Sequence, residues 1–181
     1  MRFDQLEHAI RAACEVADDT EIVIFGSQAI LATYPDAPES LRASIEVDVQ
    51  PLNRPEAIDR IDGALGEFSP FHAAFGFYVE GVSLEVAVLP CGWEERTVPV
   101  SHPVGTRGNT GLCVEIHDLA ASKLAAWREK DREFVAVLLA EKMIDPVTLD
   151  KRLQALPAGR IDSDHLESIR AWVKGIAEQV G

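Results

Sequence analysis

The chain mixes two spacings of hydrophobic and polar residues, one typical of helices and the other of strands. Apolar residues recur every three or four positions in several segments, and we predict helices there: residues 3–16, 28–32, 55–65, 118–140, 146–156 and 162–180. Short apolar runs or strict alternation predict strands at residues 21–25, 44–49, 77–80, 84–88 and 112–115. Because Gly81-Val82-Ser83 separates two of these strands, we expect a hairpin at residues 77–88.

The order of these elements predicts an α+β fold. A small mixed sheet with flanking helices comes first, and a C-terminal helical part follows it. We therefore expect two domains, an α/β core at residues 1–115 and a helical region at residues 116–181 packed on it. Residues 90–109 are rich in Gly and Pro and predict a loop.

The net charge of the chain argues against one class of function. The chain has 181 residues, with 17 basic and 30 acidic side chains, so its formal net charge is -13. This excess argues against nucleic-acid binding through basic patches, which need clustered Lys and Arg. The charge is uneven, because residues 1–90 contain no lysine and the first lysine is Lys123. Carboxylates from the first half and cations from the second are the expected contributions to a site, although acidic surfaces also simply keep proteins soluble.

The location of the protein is predicted from features that the sequence lacks. No stretch approaches 18 apolar residues, and no charged segment followed by an apolar run opens the chain. Its three cysteines are widely spaced and form no metal-binding or redox pair. We therefore expect a cytoplasmic protein that has no membrane partner.

A glycine-serine pair is the first candidate for chemistry. Gly26-Ser27 follows the strand at residues 21–25 and opens the short helix at residues 28–32. Glycine allows close approach of a phosphate to the backbone, and a helix N-terminus favours an anion. The pair is also common in ordinary turns, so alone it does not decide between the two interpretations.

Acidic residues on strands are the second candidate. Glu46 and Asp48 flank Val47, so both side chains point to one face, about 7 Å apart along the strand. Two such carboxylates can bind Mg²⁺, or they can belong to a solvated strand face. Glu85 lies within the strand predicted at residues 84–88, and pairing of the two strands would bring three carboxylates together, as two-metal phosphoryl transfer requires. The alternative for Glu85 is the solvent side of a hairpin.

These motifs, in this order, make the chain resemble the nucleotidyltransferase superfamily related to DNA polymerase beta, and more narrowly the abortive-infection toxin type (AbiEii-like). Phe25-Gly26-Ser27-Gln28 resembles the first family motif. The second motif, Arg-x-Thr/Ser-x-Asp-x-Asp, is matched at Arg42, Ser44 and Asp48, whereas Glu46 replaces the usual first Asp. The later motifs are similar to the segment from Asp118 to Asp131, where we expect Lys123 and Asp131 on nearly one face of a single helix, with Trp127 between them.

The resemblance implies a catalytic site. Glu46 and Asp48 would bind Mg²⁺ or Mn²⁺, and Glu85 would be a third ligand or a base. The nucleotide-binding residues would be Gly26, Ser27, Arg42, Ser44 and Lys123, and Asp131 would orient Lys123 or activate the acceptor. The resemblance also implies transfer of a nucleoside monophosphate from a nucleoside triphosphate to an RNA or protein hydroxyl. The abortive-infection type further implies a toxin–antitoxin pair with an antitoxin partner. The alternative, motivated by Glu46, is a degenerate fold that acts as a binding or regulatory module.

Overall fold

A computed structural model describes residues 1–180, which form a mixed α+β structure. The α-helices are α1 (Phe3–Ala17), α2 (Ile58–Leu65), α3 (Pro70–Phe75), α4 (Ile116–Ala126), α5 (Glu129–Ala140), α6 (Pro146–Gln154) and α7 (Ser163–Val180). The strands are β1 (Glu21–Ile24), β2 (Glu46–Pro51), β3 (Tyr78–Gly81), β4 (Val98–Val100) and β5 (Thr110–Cys113). The predicted α+β class is therefore confirmed.

The five strands form one mixed sheet in the order β3-β2-β1-β5-β4. β1 is antiparallel to β2 and parallel to β5, and β2 is parallel to β3. β4 closes the other edge as the antiparallel partner of β5. The site described below lies on β2 and β3, at the edge of the sheet that β3 forms.

The chain divides into two compact units, one made of residues 1–86 and 97–115 and the other of residues 87–96 and the chain from residue 116 onward. The first unit contains the whole sheet with α1, α2 and α3. Its core consists of apolar side chains from α1, the central strands and α2: Leu6, Ile10, Ile22, Ile24, Val47, Val49 and Ile61 are all fully buried. The apolar positions that alternate on β2 and recur at helical spacing on α1 thus meet in one core.

The second unit is helical. α4 contacts α5 and α6, and α7 contacts α5 and α6. Leu119, Leu124, Leu138 and Leu149 are fully buried in its core. Among the described residues, no helix is both long enough and apolar enough to cross a membrane.

The prediction of one continuous helix at residues 118–140 was wrong. α4 ends at Ala126, Trp127 has a left-handed backbone with φ +56°, and α5 begins at Glu129. No Gly or Pro marks this break. The Trp127 ring packs edge-on against Trp172 and His165 of α7, so tertiary packing overrides the helical propensity of the segment.

The predicted hairpin was also wrong. Residues 84–86 form one turn of 3₁₀ helix instead of a strand, and β3 pairs in parallel with β2. The segment predicted as a loop at residues 90–109 contains β4, and α3 was not predicted. The sequence cannot distinguish a hairpin from a crossover here, because Gly81-Val82-Ser83 fits a tight turn although the partner of β3 lies earlier in the chain.

Candidate functional site

Two strands assemble a group of carboxylates on one face of the sheet. On β2, Val47 and Val49 are buried while Glu46 and Asp48 are half-buried on the opposite face, as their alternation predicts. β3 lies beside β2 with Asp48 directly opposite Glu80. Because directly paired residues project to the same face of a sheet, Glu80 joins the two carboxylates of β2.

Glu46, Asp48 and Glu80 each offer a carboxylate oxygen within 4.8 Å of the others. We call these three residues the carboxylate triad. Each of them is half-buried, so the triad remains accessible from solvent. Hard oxygen donors at this separation are the chemistry that binds a divalent cation such as Mg²⁺ or Mn²⁺.

The carboxylates of the triad repel one another. A hydrogen bond to Glu46, burial and the negative charges of Glu46, Asp48 and Asp62 raise the pKa of Glu80 to about 7. The Glu80 carboxyl therefore stays protonated to a higher pH than an ordinary glutamate, and it donates a hydrogen bond to the carboxylate of Glu46. A bound cation would relieve the same repulsion, so the observed electrostatics fit an ion-binding role for the triad.

Tyr78 adds a neutral donor to this group. It lies opposite Glu46 in the strand register, and its hydroxyl donates a hydrogen bond to the Glu46 carboxylate. Burial, followed by the negative charges of Glu46, Glu67 and Glu80, raises the pKa of Tyr78 to about 12. The phenol therefore stays protonated at neutral pH and helps to orient Glu46.

Gly26 lies against the triad for a steric reason. A Cβ atom at this position would be 1.8 Å from a carboxylate oxygen of Asp48, so a side chain would fit only if that carboxylate moved. The backbone N–H of Phe25 donates to the carbonyl of Asp48 at 3.3 Å. The Gly26-Ser27 turn therefore lies directly against the acidic strand, and the close approach of Asp48 favours glycine at this position.

The helix after Gly26 is a 3₁₀ segment, Ser27–Ala32, of six residues. A segment this short lacks the macrodipole of a longer α-helix. Anion binding at Ser27, which the sequence predicts, would therefore depend on the individual N–H and hydroxyl groups of the turn.

The other residues of the second motif lie just before β2. The Ser44 hydroxyl accepts a hydrogen bond from the Glu46 backbone N–H at 3.2 Å, and the Ser44 carbonyl accepts one from the Gln28 side chain at 2.9 Å. The Arg42 side chain donates to the carbonyl of Ala37 at 2.5 Å. Arg42 and Ser44 thus make local contacts that shape the entry to β2, and their predicted nucleotide contacts stay predictions.

Glu85 does not join the triad among the described residues. It is exposed in the 3₁₀ turn Leu84–Val86, beyond the end of β3. The predicted strand that would bring Glu85 beside Glu46 is absent, because β3 ends at Gly81 and residues 84–86 turn in a 3₁₀ helix. Glu80, which the sequence analysis missed, occupies the place predicted for Glu85. The pairing of β3 with β2 is the signal that identifies it.

Lys123 and Asp131 meet within the second unit. The Lys123 amino group lies 3.4 Å from Asp131, whose carboxylate also accepts a 2.6 Å hydrogen bond from Arg128. Asp131 is fully buried, and Lys123 also lies 4.7 Å from the centre of the Phe134 ring. The two residues come together across the break at Trp127 rather than along one helix. Their predicted catalytic roles stay predictions.

Comparison with known proteins identifies a family that covers nearly the whole chain. No curated protein and no solved structure matches it significantly. A family model matches residues 1–173, and its description is "Nucleotidyltransferase of unknown function (DUF6036)". With nearly the full length matched, and a carboxylate triad beside a glycine-serine turn, the chain belongs to this family of nucleotidyltransferases of unknown function.

Proposed function

We propose that the protein is a metal-dependent nucleotidyltransferase that moves a nucleoside monophosphate from a nucleoside triphosphate to a hydroxyl group. The observation that carries this proposal is the triad of Glu46, Asp48 and Glu80, whose oxygens lie within 4.8 Å of one another. The family to which the chain belongs supports the reaction class.

Mg²⁺ or Mn²⁺ is the proposed cofactor. Glu46 and Asp48 would hold it, and Glu80 takes the role of third ligand or base that the resemblance implied for Glu85. When bound, the cation would supply positive charge to the phosphates of the nucleotide. This charge is necessary, because three carboxylates alone would repel a triphosphate.

The residues of the chain would then mainly position the reactants. The acceptor oxygen attacks the α-phosphorus, the bond between the α-phosphorus and its bridging oxygen breaks, and pyrophosphate leaves. The positive charge of the cation would favour the ionised form of Glu80, which would then receive the hydroxyl proton. The Gly26-Ser27 turn would bind phosphate oxygens through Ser27 and backbone N–H groups.

The charge around the triad favours a protein hydroxyl over RNA as the acceptor. Asp62 adds its negative charge at Glu80, and Glu67 adds its charge at Tyr78. The unit that contains the triad has 6 basic and 17 acidic residues. An RNA acceptor would add further negative charge to this surface, whereas a neutral or basic protein segment would not.

The resemblance to the abortive-infection type supports a more specific role. We propose that the protein is the toxin of a toxin–antitoxin pair, with an antitoxin protein as its partner. Induced expression of the protein in a bacterial host tests this role. We expect growth arrest with the unaltered chain and normal growth with Asp48→Asn.

A second candidate function is a binding module without catalysis. It is favoured by one observation, the hydrogen bond between Glu80 and Glu46, through which the two carboxyl groups share a proton. In this case the triad would be a remnant, and ligand binding would not depend on divalent cations.

Transfer of radiolabel tests the proposal directly. The purified protein is incubated with Mg²⁺ or Mn²⁺, each of the four nucleoside triphosphates labelled at the α-phosphate, and either cellular protein or cellular RNA. We expect label on the protein fraction, dependent on the divalent cation and abolished by Asp48→Asn. Label on RNA instead would contradict the choice of acceptor.

Asp36→Asn is the matched control, because Asp36 is an exposed aspartate outside the triad. It should transfer label as the unaltered protein does. A folded protein that transfers no label with any nucleotide contradicts catalysis. If that protein also binds nucleotide equally with and without divalent cation, the second candidate is supported.

A further inference from the structure

Gln28 is a buried amide next to the Gly26-Ser27 turn. Its side chain is fully inaccessible, and its Nε2 donates to the Ser44 carbonyl at 2.9 Å. Since a carbonyl can only accept, the amide nitrogen must face Ser44, which fixes the orientation of the side chain. Its Oε1 atom is buried and has no hydrogen-bond partner in the structure.

This arrangement is unfavourable for stability alone. A buried acceptor that lost its water and gained no donor raises the free energy of the native state. An apolar side chain of similar length, such as Met, would fill the same space and remove this acceptor, although the Ser44 carbonyl would then lose its donor. The presence of glutamine therefore calls for a role other than packing.

The hydrogen bond of Gln28 joins two segments at a particular place. The ladder between β1 and β2 ends at the pair Ile24 and Val49, and one more backbone bond, from Phe25 to Asp48, follows it. Beyond that point the chain turns away at Gly26. The bond from Gln28 to Ser44 ties the two segments together again, on the far side of Glu46.

The two carboxylates of β2 thus lie on a stretch held to the turn at both ends. Phe25 binds at Asp48, and Gln28 binds at Ser44, two residues before Glu46. The Ser44 hydroxyl in turn accepts from the Glu46 N–H, so the same residue links Gln28 to the backbone of Glu46. Loss of the Gln28 bond would free one end of this stretch.

We propose that Gln28 is a positioning residue, which sets the spacing between the Gly26-Ser27 turn and the carboxylates of Glu46 and Asp48. This inference rests on the proposed function, because it assigns those carboxylates to a bound cation. Contacts behind a metal ligand orient it, and their loss lowers metal affinity by about 10-fold to 100-fold in characterised sites. Gln28 thus serves the geometry of the site at some expense of stability.

Gln28→Met tests the inference with two measurements, the affinity for Mn²⁺ without nucleotide and the thermal unfolding midpoint. Mn²⁺ binding is followed by the electron paramagnetic resonance of the free ion, and only the binding that Asp48→Asn removes is counted. We expect the dissociation constant of Gln28→Met to rise about 10-fold or more while the unfolding midpoint changes little, because the variant removes both the unpaired Oε1 and the bond to Ser44. Gln154→Met, at an exposed position of α6, should change neither value.

Gln28→Asn is the second variant, because it keeps the amide but is one methylene too short to reach Ser44 as Gln28 does. A folded Gln28→Asn should show the same loss of affinity. Unchanged Mn²⁺ affinity in either folded variant overturns the inference and leaves the proposed function intact. If neither variant folds, Gln28 acts in folding and the inference is also overturned. If the unaltered protein has no Mn²⁺ site that depends on Asp48, the proposed function fails first, and this inference fails with it.

Discussion

At the scale of single residues, the site is shaped by how closely two chain segments approach each other. A methyl group on Gly26 would lie 1.8 Å from an oxygen of Asp48, so it would displace that carboxylate. The turn and the acidic strand are therefore in direct contact, and the position of one limits the position of the other.

The first prediction concerns this contact. Gly26→Ala should push the Asp48 carboxylate away from those of Glu46 and Glu80. The affinity for Mn²⁺ should then fall by about 10-fold or more, as it does when a metal ligand loses its orientation. Isothermal titration with Mn²⁺ measures it.

Gly63→Ala is the control for Gly26→Ala. Gly63 lies on α2 with open space around its Cα atom, so alanine should leave Mn²⁺ binding unchanged and raise stability by about 0.4–1 kcal/mol. Wild-type Mn²⁺ affinity in folded Gly26→Ala would show that Asp48 is not a ligand in this position.

The second prediction concerns the proton on Glu80. Its pKa is about 7 in the folded protein and about 4.5 in the unfolded chain, so between these values the folded state binds a proton that the unfolded state releases. Without divalent cations, the contribution of Glu80 to the free energy of unfolding should therefore fall as the pH rises from about 4.5 to about 7. Urea unfolding in the presence of a chelator, repeated across this range, measures it.

Glu80→Gln should remove this part of the pH dependence and stabilise the ion-free protein above pH 7, because it removes one negative charge from the triad. Glu85→Gln, at the exposed position that the sequence favoured, should behave like the unaltered protein. If Glu85→Gln removed the pH dependence of stability and Glu80→Gln did not, Glu85 rather than Glu80 would interact with Glu46 and Asp48.

These residues also show how far the sequence predicts the site. Glu46 and Asp48 could be placed together because alternation along one strand is a local property. Glu80 could not be added, because its neighbour in space is 32 positions earlier and the pairing of strands is not local. Gly26-Ser27 was recognised as a turn, but its contact with Asp48 is a tertiary feature that no local pattern contains.

At the scale of elements, buried ion pairs determine where helices meet. Asp118 on α4 is fully buried and accepts hydrogen bonds from Arg96 at 2.7 and 3.0 Å, and Arg152 of α6 lies 3.0 Å away. One carboxylate thus joins two helices and the 3₁₀ turn Trp93–Arg96. Asp131 acts in a similar way at the break between α4 and α5.

The third prediction tests this role. Asp118→Asn should lower the free energy of unfolding by about 3 to 5 kcal/mol, because two arginines lose the charge that compensates them in a buried place. Asp150→Asn, which breaks an ion pair of Asp150 with Arg170 that is about one-third exposed, should cost no more than about 1 kcal/mol. Chemical unfolding of both variants compares them, and equal effects would contradict a special role for Asp118.

The elements that the sequence predicted correctly are those with a local signal. α1, α6 and α7 begin and end close to their predicted limits, since apolar spacing and terminal residues such as Asp145-Pro146 mark them. The helix at residues 118–140 fails because the packing of Trp127 against α7 decides its break. β4 was missed because three residues in a Gly- and Pro-rich segment form a strand only beside β5.

At the scale of the whole molecule, the chain crosses between its two units more than once. Residues 87–96 belong to the helical unit, and residues 97–115 return to the sheet with β4 and β5. The boundary predicted at residue 115 assigns Arg96, the partner of Asp118, to the α/β core, whereas the division by contacts groups it with the helices. The packing of the two domains on each other stays a prediction.

The fourth prediction follows from this path. A fragment that begins at residue 116 lacks both Arg96 and the hydrogen bond from the Cys91 N–H to the Ala155 carbonyl. It should unfold at a lower temperature than a fragment of residues 87–181, as circular dichroism at 222 nm can measure. Arg96→Ala in the longer fragment should remove most of the difference. Equal midpoints for the two fragments would show that residues 87–96 do not stabilise the helical unit.

The pairing of β2 with β3 has one more consequence. A shift of β3 by a single position would place Val79 opposite Asp48 and turn Glu80 toward the hydrophobic interior. A shift in the register of β3 would therefore remove Glu80 from the triad and bury its carboxyl group in the hydrophobic core at the same time. For this reason, misfolded molecules that keep the carboxylate triad should not accumulate. The fraction of molecules with a complete triad should equal the fraction in which β3 pairs with β2 in the correct register.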